Sequence, residues 1–271
     1  MIDKYAVFGN PIVHSKSPFI HAEFARQTHQ NMEYTAVLAE IGKFAETVRE
    51  FAEQGGKGLN VTVPFKQDAW AFVTSRSINA EKSGAVNTIV IKSHGEFIGD
   101  NTDGIGLVRD ITQNLQFDVI NKRILVLGAG GAVRGVLGSL LKEKPKNITI
   151  ANRTVGKAIE LAELFGDAGE INGVSFDTAS NATYDLIING TAASLGGELP
   201  AVTNAIYENC CCYDMMYGKE DTVFMAHAKQ HGALKAWDGL GMLVEQAAES
   251  FYLWRGVRPE TKSIIEMVRR V

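Results

Sequence analysis

Arg123-Ile124-Leu125-Val126-Leu127-Gly128-Ala129-Gly130-Gly131-Ala132 is the stretch that decides the fold. Its first half reads as a strand apolar throughout, as a parallel sheet covered on both faces requires. Each glycine after it has its own task. Gly128 permits a tight turn off the strand, and Gly130 lets a backbone approach a pyrophosphate with no Cβ in the way. A helix beginning near Gly131 then offers free N–H groups and a positive dipole end to phosphate. The strict G-x-G-x-x-G pattern fails at its third glycine, where Val133 stands, although Ala132 is small and adjacent. A tight turn that binds nothing is the competing reading; the strand before and the helix after favour a dinucleotide. The next strand, 147–151, indicates which one. An NAD enzyme places Asp or Glu about 20 residues on, for the ribose 2′-OH. This chain has Asn152-Arg153-Thr154, with Lys157 one turn later. Arg binds phosphate through its planar fork, so the expected cofactor is NADP.

Around this loop the middle of the chain alternates regularly. A helix is expected over about 133–144, another from 154 to about 165, and further strands at 184–189, 210–213 and 233–237. That alternation is the doubly wound, Rossmann-type α/β pattern. The length, 271 residues, suits one large domain or two modest ones at roughly 150 residues each. With 27 Lys and Arg against 31 Asp and Glu, the formal charge is −4, which gives no basic stripe for nucleic acid. No uncharged apolar run reaches the roughly 18 residues of a membrane span. Met1-Ile2-Asp3-Lys4-Tyr5 lacks the apolar stretch of a signal peptide. Cys210, Cys211 and Cys212 are adjacent and odd in number, so they frame no disulfide set and no metal motif. They are expected as small apolar residues in a strand, in a reducing, cytoplasmic setting. No metal is expected.

The first third reads as a second α/β unit. Strands are expected at 5–9, 34–38 and 59–63, and helices at 17–28 and 41–54, with Ser17 as cap and Pro18 as first helical residue. Gly55, Gly56 and Gly58 are expected to break the second helix. A hairpin pairs 88–92 with 96–99. Polar residues collect beside glycine or proline in Asn10 to Ser17, Asn60 to Lys66, Gly84 to Thr88 and Gly99 to Gly104. Strand alternation puts Asn60 and Thr62 on one face, with Lys66 just beyond. Polar groups in phase on a strand otherwise built for burial need partners, and a polyhydroxylated ligand supplies them. Helices at 240–251 and 264–271 end the chain. The expected domains are 1–103 completed by 239–271, and 104–238, with a cleft between them.

Ser15-Lys16-Ser17-Pro18, Asn60-Val61-Thr62-Val63-Pro64-Phe65-Lys66, Gly84-Ala85-Val86-Asn87-Thr88, Asp100-Asn101-Thr102-Asp103-Gly104, the 128–132 loop, Asn152-Arg153-Thr154 and Asp238-Gly239-Leu240-Gly241-Met242-Leu243 occur together and in order. This set resembles the signature of the shikimate dehydrogenase family, NADP-dependent enzymes of aromatic amino-acid (chorismate) biosynthesis. The resemblance implies an N-terminal substrate domain, a Rossmann-type NADP domain, and reversible reduction of 3-dehydroshikimate to shikimate. It implies that Ser15 and Ser17 bind the substrate carboxylate with Tyr217 over it, and that Asn60, Thr62, Asn87 and Gln246 bind ring hydroxyls. Lys66 and Asp103 would flank the reacting oxygen as the catalytic pair. The implied cofactor contacts are Gly128, Ala129, Gly130, Gly131, Ala132, Asn152, Arg153, Thr154, Lys157, Thr191, Met215 and Gly239. Hydride delivered to a ketone leaves negative charge on oxygen, which an ammonium stabilises and protonates. Whether Lys66 or Asp103 moves the proton stays open. Two departures stand out: Asn189-Gly190-Thr191-Ala192-Ala193-Ser194 replaces the usual Asn-Ala-Thr-type turn, and Lys157 stands where arginine is common. A quinate-accepting enzyme and a non-catalytic dinucleotide-binding regulator are the alternative readings. The implied partner is a small molecule, with neither nucleic acid nor membrane, on a monomer or homodimer.

Overall fold

Central strands buried on both faces organise both halves of the chain. In the computed structural model, which describes residues 2–191 and 197–270, two compact units form, Met1–Gly106 with Leu243–Val271, and Leu107–Met242.

In the first unit, β1 (Asp3–Gly9), α1 (Ser17–Gln27), β2 (Met32–Leu38), α2 (Phe44–Glu53) and β3 (Gly56–Val61) are followed by α3 (Lys66–Phe72), β4 (Ser75–Arg76), α4 (Ile78–Ser83), β5 (Thr88–Ile91) and β6 (Phe97–Asp100). The strands form one mixed sheet in the order β2-β1-β3-β5-β6-β4. Parallel pairing sets Tyr5 opposite Tyr34 and Gly58, whereas β3 and β5 run antiparallel with Asn60 opposite Thr88. Ala6, Phe8, Leu59 and Val61 face a core with Phe44 and Val48, while Tyr5 and Val7 face the other side with Ile12 and Tyr34.

Several local expectations change. Lys16, not Ser17, occupies the cap position of α1, and no side chain caps it, so Ser17 is the first helical residue. The β3 strand absorbs Gly56 and Gly58 and stops at Val61. A β-carbon at Gly58 would lie 2.4 Å from Trp254 Nε1, so the glycine there serves close packing and not helix breaking. Because Thr62 lies past the strand end, alternation does not carry through to it. The short helices α3 and α4 are absent from the sequence reading; they are too brief for a helical period to show.

The second unit starts inside α5 (Asp103–Arg109), whose helix continues as a π turn over Asp110–Asn114. Then come β7 (Arg123–Leu127), α6 (Gly131–Lys142), β8 (Asn147–Ala151), α7 (Val155–Phe165), β9 (Ile171–Val174), α8 (Phe176–Ala179), β10 (Leu186–Asn189), β11 (Cys211–Asp214), α9 (Val223–Gln230) and β12 (Lys235–Asp238). The sheet order is β12-β11-β10-β7-β8-β9, parallel at every pairing. Counted from β7 this is the 3-2-1-4-5-6 order of the dinucleotide-binding fold, whose order reverses between β7 and β10. Ile124 and Val126 enter one core and Leu125 and Leu127 the other, which is why the strand is apolar throughout. Cys210 and Cys212 lie buried in the second of these cores, and all three thiols are free. The chain returns to the first unit within α10 (Leu240–Arg255) and ends in α11 (Lys262–Arg270). Both passages thus lie in helices. Gly104 and Gly106 are helical residues of α5, and Gly241 of α10, so none marks a glycine-rich hinge loop.

His21 of α1 is fully buried and stacks on Tyr34 at 4.0 Å, with Phe24, Phe251 and Trp254 around it. Among the described residues neither ring nitrogen has a regular hydrogen bond, and burial holds its pKa down to about 3, slightly opposed by the nearby Asn60 amide. The folded imidazole is therefore neutral where the unfolded one titrates near 6.5, so stability is full above that pH and declines as pH falls below it. Between pH 7 and pH 5 this group alone removes about 2 kcal/mol. Urea unfolding of His21→Phe at the two pH values is expected to show a loss smaller by about that amount; an unchanged loss contradicts the assignment.

Candidate active site

The first unit gathers its polar groups on one connected constellation. Pro64 ends the extended segment, and Phe65, almost fully buried, anchors the head of α3 so that Lys66 is its first residue. Asp103 is likewise first in α5, where the helix dipole favours a carboxylate. Lys66 Nζ donates to Asp103 Oδ2 at 2.5 Å, the side chains being 32% and 12% exposed. The other carboxylate oxygen accepts from Asn87 Nδ2 at 2.8 Å, and Asn101 Oδ1 takes the Asp103 N–H at 3.1 Å. Asn87 Nδ2 also donates to Thr102 Oγ1 at 3.0 Å and lies 3.3 Å from Gln246 Oε1. Asn87 Oδ1 accepts from the Thr102 N–H and the Thr88 hydroxyl, both at 2.9 Å. The Lys66 carbonyl accepts from the Val86 N–H at 2.9 Å, which ties the lysine to the turn before β5 that carries Asn87. The pair is thus fixed from α3, α5, the entry to β5 and α10 together.

Asn60 lies one layer below. It is 7% exposed; its Oδ1 accepts from the Tyr34 hydroxyl at 2.7 Å and its Nδ2 donates to Ser250 Oγ at 2.9 Å and toward the Asn87 carbonyl at 3.2 Å. Ser250 and Thr88 share a 2.7 Å hydrogen bond. Tyr34, Thr88, Asn101, Thr102 and Ser250 are members of this network that the sequence reading did not single out as site residues. Their signal was present: a hydroxyl or amide in an otherwise apolar strand or helix face needs a buried partner. Ser15 and Ser17 are half-buried, with the Ser17 N–H donating to Ser15 Oγ at 3.3 Å. Burial pushes the Tyr34 phenol up, partly opposed by the adjacent Ser17 hydroxyl. Thr62 is half-buried; its N–H donates to the Phe8 carbonyl at 2.9 Å.

The second unit presents a different kind of site at the reversal of strand order. Gly128 has φ +103°, and a β-carbon there would lie 3.1 Å from Thr191 Cγ2, so the loops after β7 and β10 touch. Gly130 and Gly131 are exposed with open space around them, and no side chain caps α6. The first N–H groups of that helix have no intrahelical acceptor. At the head of α7, Arg153, Thr154 and Lys157 are exposed, and Asn152 Nδ2 donates to the Thr154 carbonyl at 2.9 Å. Among the described residues neither Arg153 nor Lys157 has an ion-pair partner. Unmatched N–H groups, an open glycine cradle and free cations fit a phosphorylated dinucleotide. After β10, Asn189 Oδ1 accepts from the Thr191 hydroxyl at 2.7 Å, and Asn189 Nδ2 donates to buried Asp214 at 3.1 Å. Met215 N–H donates to the Asn189 carbonyl, and Gly239 N–H to the Met216 carbonyl, both at 2.9 Å. Tyr217 follows β11 on this unit, 39% exposed, with its phenol pushed up by burial. Ala192, Ala193 and Ser194 lie outside the described residues. Among the described residues no group of His, Cys, Asp and Glu is placed to hold a metal, and no helix is long and apolar enough to cross a membrane.

A doubly wound sheet with an open glycine cradle, carried with a braced Lys–Asp pair, defines the class of dinucleotide-dependent α/β oxidoreductases. Comparison with known proteins narrows this. The shikimate dehydrogenase substrate-binding domain matches residues 7–89, the shikimate/quinate 5-dehydrogenase family residues 109–210, and the shikimate 5′-dehydrogenase C-terminal domain residues 239–269. A shikimate dehydrogenase (NADP(+)) of Cellvibrio japonicus (strain Ueda107) is 55% identical over 100% of this chain and 98% of its own. One of Vibrio campbellii (strain ATCC BAA-1116) is 56% identical over 99% of this chain and 97% of its own. The crystal structure of an Ael1 enzyme from Pseudomonas putida superposes with a TM-score of 0.93 at 41% identity, covering 98% of this chain and 97% of that one. The chain belongs to the shikimate dehydrogenase family.

Removing the Tyr34 hydroxyl leaves Asn60 Oδ1 buried without its donor, which costs about 1–3 kcal/mol. Urea denaturation of Tyr34→Phe is expected to show that loss; a midpoint equal to wild type contradicts the network.

Proposed function

We propose that the protein catalyses the reversible NADPH-dependent reduction of 3-dehydroshikimate to shikimate, a step of aromatic amino-acid (chorismate) biosynthesis. The observation that carries the reading is the Lys66–Asp103 pair at 2.5 Å, braced by Asn87. NADPH, when bound, supplies the hydride. As hydride reaches the carbonyl carbon, negative charge grows on the oxygen. Lys66 stands to stabilise that charge through its ammonium and to donate the proton; in the oxidative direction it takes the proton back. Asp103 orients the ammonium through their 2.5 Å hydrogen bond. Asn87, held by Thr88 and Thr102, keeps the carboxylate in place and with Gln246 and Thr62 bears on ring hydroxyls. Asn60 contributes from below, because its amide is already engaged by Tyr34 and Ser250. Ser15 and Ser17 take the substrate carboxylate through their hydroxyls, and Tyr217 adds its phenol.

On the second unit the N–H groups of 129–132, opened by Gly128, Gly130 and Gly131, hold the pyrophosphate. Arg153, with Asn152, Thr154 and Lys157, takes the 2′-phosphate; Thr191, Met215 and Gly239 line the nicotinamide end. The names of the curated relatives, NADP(+) enzymes at more than half identity, support this cofactor. The protein acts in the cytoplasm on a small molecule, as a monomer or homodimer, without nucleic acid or membrane.

Lys66→Ala is expected to lower kcat by about 10²–10⁴-fold, with the KM for shikimate changed only a few-fold. Turnover within a few-fold of wild type overturns the role. Arg153→Ala is expected to raise the KM for NADP about tenfold or more and to leave NAD nearly unaffected. Equal losses for both cofactors contradict the 2′-phosphate assignment.

A further inference from the structure

Gly190 follows β10, and its N–H donates to the Leu127 carbonyl at 2.9 Å. A β-carbon placed on it would lie 2.4 Å from Val133 Cγ2 and 3.1 Å from Met215 Sδ. The two neighbours respond differently. Met215 has a long, adaptable side chain and gives way. Val133 is fully buried in the first turn of α6, and a β-branched side chain in a helix is held in a single χ1 well. A methyl group at 190 therefore pushes on the first turn of α6 or on the 190–191 backbone. Neither has slack, because the loop after β7 is packed so closely there that a β-carbon on Gly128 would itself lie 3.3 Å from the Gly190 carbonyl. The first turn of α6 is also the one whose N–H groups are unmatched.

In the dinucleotide fingerprint the third glycine lets the helix approach the sheet. This chain carries Val133 at that place. The geometry shows where the missing room comes from: the side chain is absent across the crevice, at Gly190. We propose that Gly190 is a positioning residue for the cofactor, leaving the space that Val133 fills and, through Val133, fixing the first turn of α6 and the seat of Met215. This rests on the reading that the second unit binds NADP through that turn.

The test is a set of variants titrated with NADPH by fluorescence, with melting temperature measured on each. Gly190→Ala is expected to raise the dissociation constant about tenfold or more, the scale of a coupling between touching residues. Val133→Ala opens a cavity, so it lowers the melting temperature; its dissociation constant stays within about threefold of wild type. The double variant Val133→Ala with Gly190→Ala is expected to recover affinity to within about threefold, since the colliding carbons are gone. A purely structural role would make affinity follow melting temperature across the set. Wild-type affinity in Gly190→Ala, or a double variant no tighter than the single, overturns the proposal. If Gly190→Ala does not fold, the double variant alone decides: binding within about threefold supports the pair and a loss of about tenfold overturns it. Absence of NADPH binding by the wild-type protein overturns the underlying reading instead.

Discussion

An ammonium and a carboxylate stay together at a half-buried position only when the hydrogen bonds they do not give each other are met elsewhere. Desolvation works against both ions, and an unmatched oxygen or N–H raises that cost further. In the first unit this constraint is satisfied from four directions. Asp103 spends one oxygen on Lys66 and the other on Asn87, and its own N–H goes to Asn101. Asn87 is held by Thr88 and Thr102, and beneath it Asn60 is held by Tyr34 and Ser250. These groups come from β2, β3, α3, β5, α5 and α10 and the turns beside them, so the mixed sheet and the returning C-terminal helix are needed to assemble one ion pair. The positions of Lys66 and Asp103 are a consequence of the fold of the whole unit.

The second unit follows the opposite rule. Polar groups within its sheet, such as Asn189 and Asp214, are paired with each other, and its open polar potential sits at the loop ends. The N-terminus of α6 has no side-chain cap, Gly130 and Gly131 stand open, and Arg153 and Lys157 are exposed cations without ion-pair partners among the described residues. A site built from unmatched donors on a rigid sheet edge takes an anion readily and contributes no proton chemistry. The two units thus differ: one matches its own polar groups and orients them, the other holds donors open at its loop ends.

Much of this was legible in the residues. The apolar run 123–127 followed by the glycine loop was sufficient for the doubly wound sheet, because a strand buried on both faces and a tight β–α turn have few other uses. Lys66 and Asp103 were legible only jointly, through the ordered motifs around them; singly, a lysine past a strand end is indistinguishable from a solvated one. Other features were hidden for physical reasons. Ser17 stands before a proline like a cap, yet Lys16 takes the cap geometry and the Ser17 hydroxyl lies beside the Tyr34 phenol instead. Gly58 resembles a helix breaker, but Trp254, nearly two hundred residues away, decides its role through a contact no local pattern records. The roles of Thr88 and Ser250 depend in the same way on pairing across strand and helix. Val133, which breaks the glycine pattern, faces Gly190 more than fifty residues on, a contact that no local motif records.

The most direct measurement is the initial rate of the wild-type protein, followed at the NADPH absorbance band with shikimate as the only reductant and either NADP or NAD as acceptor. The account requires shikimate-dependent reduction of NADP, with a kcat/KM about tenfold or more above that for NAD, the discrimination expected of one good Arg–phosphate contact. No shikimate-dependent NADPH formation, or equal use of NAD, would contradict it.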